Sequence, residues 1–141
     1  MTVPNAVLRV LREWLAKADN DLKTAVHTLT LGDACPTDTV CFHGQQCTEK
    51  HIKALLVYRA TPFPKTHDIG RLRALLPARL RPKLDSNRED RLTEYATVMR
   101  YPGAGLDISL AEARKAVAIA RRVRSEVRKH LPKAAVRRER K

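Results

Sequence analysis

Two rows of cations near the end of this chain have the residue types and the spacing to meet phosphates. Arg114, Arg121 and Arg128 repeat every seven residues, and Lys115, Arg122 and Lys129 repeat beside them. On an α-helix both rows lie opposite an apolar side of Ala113, Ala116, Ala120, Val123, Val127 and Leu131. They run about 21 Å along the axis, at about 1.5 Å per residue. Only Glu112 and Glu126 interrupt them with opposite charge. Such a strip can hold RNA or DNA through its backbone without reading sequence. The plain alternative is a solvated helix exterior.

A second group sits in the stretch Thr39 to Leu56, TVCFHGQQCTEKHIKALL. Gln46, Glu49, Lys50 and Lys53 fall three or four positions apart and so share one side of a helix. The other sides carry Val40, Cys41, Phe42, Ile52, Ala54, Leu55 and Leu56. A helix this apolar must be covered over most of its circumference. It therefore reads as the central helix of a bundle. His43, Gln46, Glu49 and Lys53 are then expected to face a polar crevice or a partner.

His43, Cys47 and His51 recur every four residues on that helix, and neighbouring members could chelate one metal ion. The third would lie about 6 Å further along the axis, out of reach of the same ion. No carboxylate completes the set, so neither a metal nor another cofactor is expected. The three cysteines, Cys35, Cys41 and Cys47, cannot form a closed disulfide set and match no zinc spacing. Reduced thiols in a cytoplasmic protein are expected.

Composition bounds the rest. A chain of 141 residues with 43% hydrophobic and 30% charged residues is one domain able to bury a core. Aromatics at 4% argue against a base-stacking platform. No apolar run reaches eighteen residues and no signal-peptide layout opens the chain, so no membrane partner is expected. The net charge of +13 is unevenly spread. Residues 1–70 hold eight Lys or Arg against seven acids, whereas residues 71–141 hold twenty against eight. That asymmetry points to an anionic partner on the second half.

The elements that would position these groups are all helical. Leu8, Leu11, Leu15, Ala18, Leu22, Ala25 and Leu29 form an unbroken seam that starts near Pro4 and ends at Gly32. Asp19 and Asp21 are expected on its wet side. The central helix starts near Thr37 to Thr39 and stops before Thr61-Pro62-Phe63-Pro64. Thr66 is a candidate N-cap for a short third helix, and Ser86 to Glu89 reads as a capping box for a fourth. The fourth helix would turn Leu92, Tyr95, Ala96 and Met99 inward. Ser109 to Glu112 opens the fifth, closed by Pro132. No strand-like alternation occurs. The expectation is an all-α, up-and-down bundle of four to five helices over residues 1–131, with short connections, and a basic, disordered tail over residues 132–141.

WLAKADNDLKTA, CFHGQQCTEKHIKALL, KTHDIGRLRALLP, YATVMRYPG and the Ala-rich closing helix together resemble a HEPN domain over roughly residues 9 to 131. The resemblance implies a helical bundle, commonly a homodimer. It also implies a frequent partner, a minimal nucleotidyltransferase encoded alongside in toxin–antitoxin or defence pairs. Other relatives are metal-independent ribonucleases or nucleotide-binding modules.

The ribonuclease branch carries an Arg followed five to seven positions later by a His. The His can move the proton of the 2′-hydroxyl or the leaving group, and the Arg can stabilise charge on the phosphorane. At the corresponding place this chain has Arg100 but no His in range. Arg124 and His130 satisfy the spacing elsewhere, about 120° apart around the helix and about 9 Å along it. The expected function is thus binding of nucleotide or RNA phosphates, or of a nucleotidyltransferase, with Arg100 beside the two cationic rows. The alternatives are a ribonuclease toxin using Arg124 and His130, and a pure protein–protein module. His67, at the start of the third helix, is expected to serve packing and helix-start hydrogen bonds.

Overall fold

The computed structural model describes residues 2–103 and 107–137, with the side chain of Arg100 left out. Its helices are α1 (Asn5–Leu29), α2 (Thr37–Tyr58), α3 (Ile69–Ala74), α4 (Ser86–Ala96), α5 (Leu110–Arg128) and α6 (Lys133–Val136). Three short 3-10 turns complete the regular structure, and no strand occurs among the described residues. The chain is an all-α bundle. No described helix is long and apolar enough to cross a membrane.

The sequence dictates α2 as the centre because its apolar residues point in several directions at once. Val40, Cys41, Ile52, Ala54, Leu55 and Leu56 are all fully buried. Each large one contributes roughly 1.5–3 kcal/mol on leaving water. Helix α1 packs along one flank of α2 and α5 along another, with α4 and α3 covering the remainder. The seam of α1 delivers Leu11, Leu15, Ala18 and Ala25 to this core, and α5 delivers Ala113, Ala116, Ala120, Val123 and Val127.

Small residues let three of these helices approach closely. Ala18, Cys47 and Ala120 meet with no exposure where α1, α2 and α5 converge. One turn away, Gly44 of α2 runs against α5, and a Cβ there would stand 3.2 Å from the Ala116 carbonyl oxygen. The side chains that flank this junction are consequently held at short range, which sets up the polar contacts described below.

Caps follow local rules with small shifts. Ser109 caps α5 by accepting from the Glu112 amide at 3.0 Å. For α4 the cap is Asp85, one residue ahead of the expected Ser86, and it accepts from the Arg88 amide at 2.8 Å. For α3 it is Asp68, not Thr66; the Thr66 hydroxyl accepts from the Asp68 amide one step earlier. An ionised carboxylate is the stronger acceptor in both places.

The connection from α2 to α4 carries the expected short third helix, α3, followed by a 3-10 turn (Ala78–Leu80). It is stitched internally: Arg73 Nε donates to Pro82 O at 2.6 Å and Arg81 Nε to Leu76 O at 2.8 Å. Within the segment expected as a basic tail, Lys133–Val136 forms the single turn α6. Arg12 of α1 donates twice to Ala134 O, and Ala135 is buried. Residues 138–141 lie outside the described residues.

Replacing Gly44 with Val forces branched methyls against the α5 backbone, which cannot recede without opening the core. Urea denaturation of Gly44→Val should show a loss of about 1–3 kcal/mol, the usual range for overpacking.

Candidate functional site

The exterior of α5 presents the cations that its spacing promised. Arg114, Lys115, Arg121, Arg122 and Lys129 are exposed. Arg114, Lys115, Arg121 and Lys129 make no ion pair with a described residue. Arg122 approaches Glu126 at 3.9 Å and donates from Nη2 to Lys83 O at 2.6 Å. Glu126 in turn accepts from the Lys83 amide at 2.9 Å. This pair of contacts lays the connector before α4 alongside α5 and adds the exposed Lys83 to the strip.

Arg128 leaves the expected row. A seven-residue step falls about 20° short of two full helical turns, so two steps from Arg114 carry Arg128 about 40° toward the apolar side. It turns inward, where its Nη2 donates to Asp19 Oδ1 at 2.8 Å and its Nε to His51 Nε2 at 3.3 Å. Arg124 joins it, Nε donating to the same Asp19 Oδ1 at 2.9 Å. Asp19 was expected on the wet side of α1 and is instead the hinge of an α1–α2–α5 ion cluster. Burial pushes its carboxyl up, but the hydrogen bond from Arg124 and the charge of Arg128 outweigh that and hold it below the ordinary range. His51 Nδ1 donates to Cys47 O at 2.8 Å, which leaves Nε2 as the acceptor for Arg128. Burial brings the His51 pKa down to about 4, so the ring is neutral near pH 7.

The polar side of α2 is turned into the protein rather than open as a crevice. Glu49 is 3% exposed and accepts from three donors. Gln45 Nε2 lies 3.0 Å and His67 Nδ1 2.7 Å from Oε1, and Lys53 Nζ lies 3.0 Å from Oε2. Lys53 also sits over the rings of Trp14 and Phe63 at 5.9 and 5.7 Å. Gln45 is fully buried and also accepts from Gln46 at 2.7 Å. His67 does more than start α3: it ties the loop before that helix to the core through Glu49. His43 belongs to a separate centre, with Nδ1 2.8 Å from Asp21 Oδ1, while Lys50 bonds the other oxygen of Asp21. Asp21 is thus buried on α1, against expectation. Its place was legible, since it lies three residues after Ala18 and four before Ala25 on the apolar seam.

No buried side-chain nitrogen or oxygen among the described residues lacks a hydrogen-bond partner. No three His, Cys, Asp or Glu side chains among them converge as a metal site. Cys41 and Cys47 are buried, and burial pushes both thiols up to about 12. At the position where Arg100 stands, the side chain lies outside the described residues, as do residues 104–106. His130 is exposed in the turn after α5, its amide bonded to Val127 O at 3.0 Å, while Arg124 is engaged by Asp19.

Two clefts flank the Asp19 cluster. One, of about 490 Å³, lies between α1 and α5 and is lined by Leu22, Lys23, Val26, Arg121 and Arg124. The other, of about 440 Å³, lies between α1 and α6 and includes Arg9, Arg12, Glu13 and Arg128.

Comparison with known proteins gives a consistent result. The sequence profile of the HEPN domain matches residues 11–130. Among solved structures, TT1696 from Thermus thermophilus is similar at 28% identity with a TM-score of 0.69. That match covers 86% of this chain and 98% of the other. No protein of curated function matches the chain.

The neutral His51 makes stability depend on acidity with a defined sign. Its folded pKa of about 4 lies below the ordinary 6.5, so protons bind the unfolded chain preferentially. The associated stability is complete above pH 6.5 and declines as pH falls toward 4, by roughly 3 kcal/mol in all. Denaturant titrations across that interval should show the decline, and a His51→Gln variant, with no proton to gain, should remove this part of the slope.

Proposed function

The chain belongs to the HEPN domain family, and from that membership and the charge on α5 we propose that it is a helical module binding the phosphates of RNA or of a nucleotide. The reading is carried by one observation: Arg114, Lys115, Arg121 and Lys129 are exposed along one helix with no ion-pair partner among the described residues. Acids elsewhere are met by cations, as Glu49, Asp21, Asp19 and Glu112 are. Cations that find no internal acid draw counterions from solution, and a polyanion that displaces those ions gains their release.

Binding without cleavage is the reading that fits this chain. Where ribonuclease relatives pair an Arg with a His, Arg100 has no His five to seven positions on. A general acid–base group for the 2′-hydroxyl proton is then missing at that place. In this proposal the module is a cytoplasmic homodimer, and pairing the strips of two copies raises avidity for one strand. A minimal nucleotidyltransferase with an acidic face, as in toxin–antitoxin or defence pairs, would meet the same strip through the same charges.

Single-stranded RNA labelled with a fluorophore should bind with log K falling against log salt, at a slope near −3 for about four phosphate contacts. Replacing Arg114, Lys115, Arg121 and Lys129 together by Gln should abolish most of that slope while leaving helicity unchanged. Binding that ignores salt, or that survives the four replacements, overturns the reading. The RNA should remain intact. Cleavage that disappears in His130→Ala would put a ribonuclease built on Arg124 and His130 in its place.

A further inference from the structure

The four best-organised acids of this protein are not satisfied alike. Glu49 uses Oε1 for Gln45 and His67 and Oε2 for Lys53. Asp21 gives one oxygen to His43 and the other to Lys50. Glu112 takes Arg91 in a two-point fork, at 2.8 and 3.0 Å. Asp19 differs. Both Arg124 and Arg128 converge on its Oδ1, and Oδ2 accepts no hydrogen bond from a described residue.

The charges around Asp19 are unbalanced in the same direction. Two guanidinium groups share one carboxylate. Lys23, His27 and Arg121 line the cleft on the Arg124 side, and Arg9, Arg12 and Glu13 line the cleft on the Arg128 side. Arg124 bonds only through Nε among the described residues and remains half-exposed, so its two terminal nitrogens are available to a ligand. Two guanidinium groups that each give one N–H to the same oxygen, with donors to spare and an excess of positive charge, are better matched to a tetrahedral dianion than to a carboxylate.

We infer that the Arg124–Arg128 pair is a seat for a phosphate monoester, and that the Asp19 carboxylate is its built-in competitor. The inference rests on the phosphate-binding reading above and specifies where a terminal phosphate goes. The competition also selects the ligand. A phosphodiester carries one negative charge, no more than Asp19, and cannot displace a carboxylate held in place by the fold. A monoester at neutral pH carries close to two and offers three oxygens. The terminal phosphate of an RNA strand and that of a mononucleotide share this chemistry.

The test follows the Nε–H signals of Arg124 and Arg128 by NMR in the full chain during titration with inorganic phosphate. Asp19→Asn should bind phosphate at least tenfold more tightly than the native protein, with both arginine signals moving. The same variant should gain affinity for a 5′-phosphorylated oligoribonucleotide and not for its 5′-hydroxyl counterpart. A gain for adenosine monophosphate as well would extend the seat to mononucleotides; a gain limited to the strand would confine it to RNA ends. If Asp19→Asn is too unstable to measure, Arg124→Gln keeps the Asp19–Arg128 pair and should weaken phosphate binding at Arg128 tenfold. Phosphate affinity that is unchanged or reduced in folded Asp19→Asn, or unchanged in Arg124→Gln, overturns the inference. The salt-dependent RNA binding of the α5 strip is scored on its own variants, so either result can fail without the other.

Discussion

A carboxylate carried into a helix–helix interface must be met there by cations, and that requirement organises this bundle. Glu49, Asp21 and Asp19 lie where α2 meets its neighbours, and each draws partners from a different element: the loop before α3, α2 itself, and α5. Removing one partner of such a pair typically costs about 3–5 kcal/mol, because the remaining charge stays buried. The apolar contacts of α2 supply more total stabilisation but are non-directional. Sliding α2 by one residue would shift it about 1.5 Å and turn it about 100°, keeping much apolar burial while breaking the pairs of Asp21 with His43 and Lys50 and of Glu49 with His67. The ion pairs therefore fix register and rotation, and the core supplies the force.

The same requirement sorts the basic residues by what they can still do. Guanidinium groups that meet carboxylates, as Arg91 does with Glu112 and Glu94, are largely neutralised. Those that meet only carbonyls are not: Arg12 and Arg81 stitch loops to helices and keep their charge, whereas Arg73 also stands 3.8 Å from Glu89. A net charge of +13 thus coexists with a surface on which many arginines are immobilised. Their field persists, but their freedom to follow a ligand does not. Arg114, Lys115, Arg121 and Lys129 retain both, and they do so along a single helix.

Much of the architecture was legible in the sequence because it depends on local periodicity. The seam from Leu8 to Leu29 and the apolar side from Ala113 to Leu131 each recur at helical spacing, and both helices form where the pattern places them. Caps were legible to within a residue or two, and the misses share a cause: Asp68 and Asp85 stand close to Thr66 and Ser86, and a hydroxyl loses to a nearby carboxylate. The stitching of the α2–α4 connection was not legible, since Arg73 and Arg81 use backbone carbonyls that any sequence possesses. The direction of the α2 polar stripe was not legible either. Its partners, Asp21 and His67, lie 22 and 18 residues away in sequence from His43 and Glu49. Periodicity reports that residues share a face, not what that face meets.

The candidate site shows how a single angle divides one helix into two roles. Arg114, Arg121 and Arg128 look equivalent when written in sevens, but an α-helix turns 3.6 residues at a time, and the row drifts by about 20° per repeat. The drift carries the first row toward α1, so that its last member reaches Asp19 and His51. The second row, Lys115, Arg122 and Lys129, turns in the same sense, which from its starting point leads away from the apolar side and leaves Lys129 in solvent. Arg124, already nearer the apolar side, falls beside Arg128 four residues on, at the spacing that lets two side chains share a target. The seven-residue repeat alone cannot place both an exterior strip and an interior cradle on α5; the mismatch between seven and 3.6 can. What looks in sequence like one basic surface is, in the fold, a surface and an edge, and it is the edge that Asp19 guards.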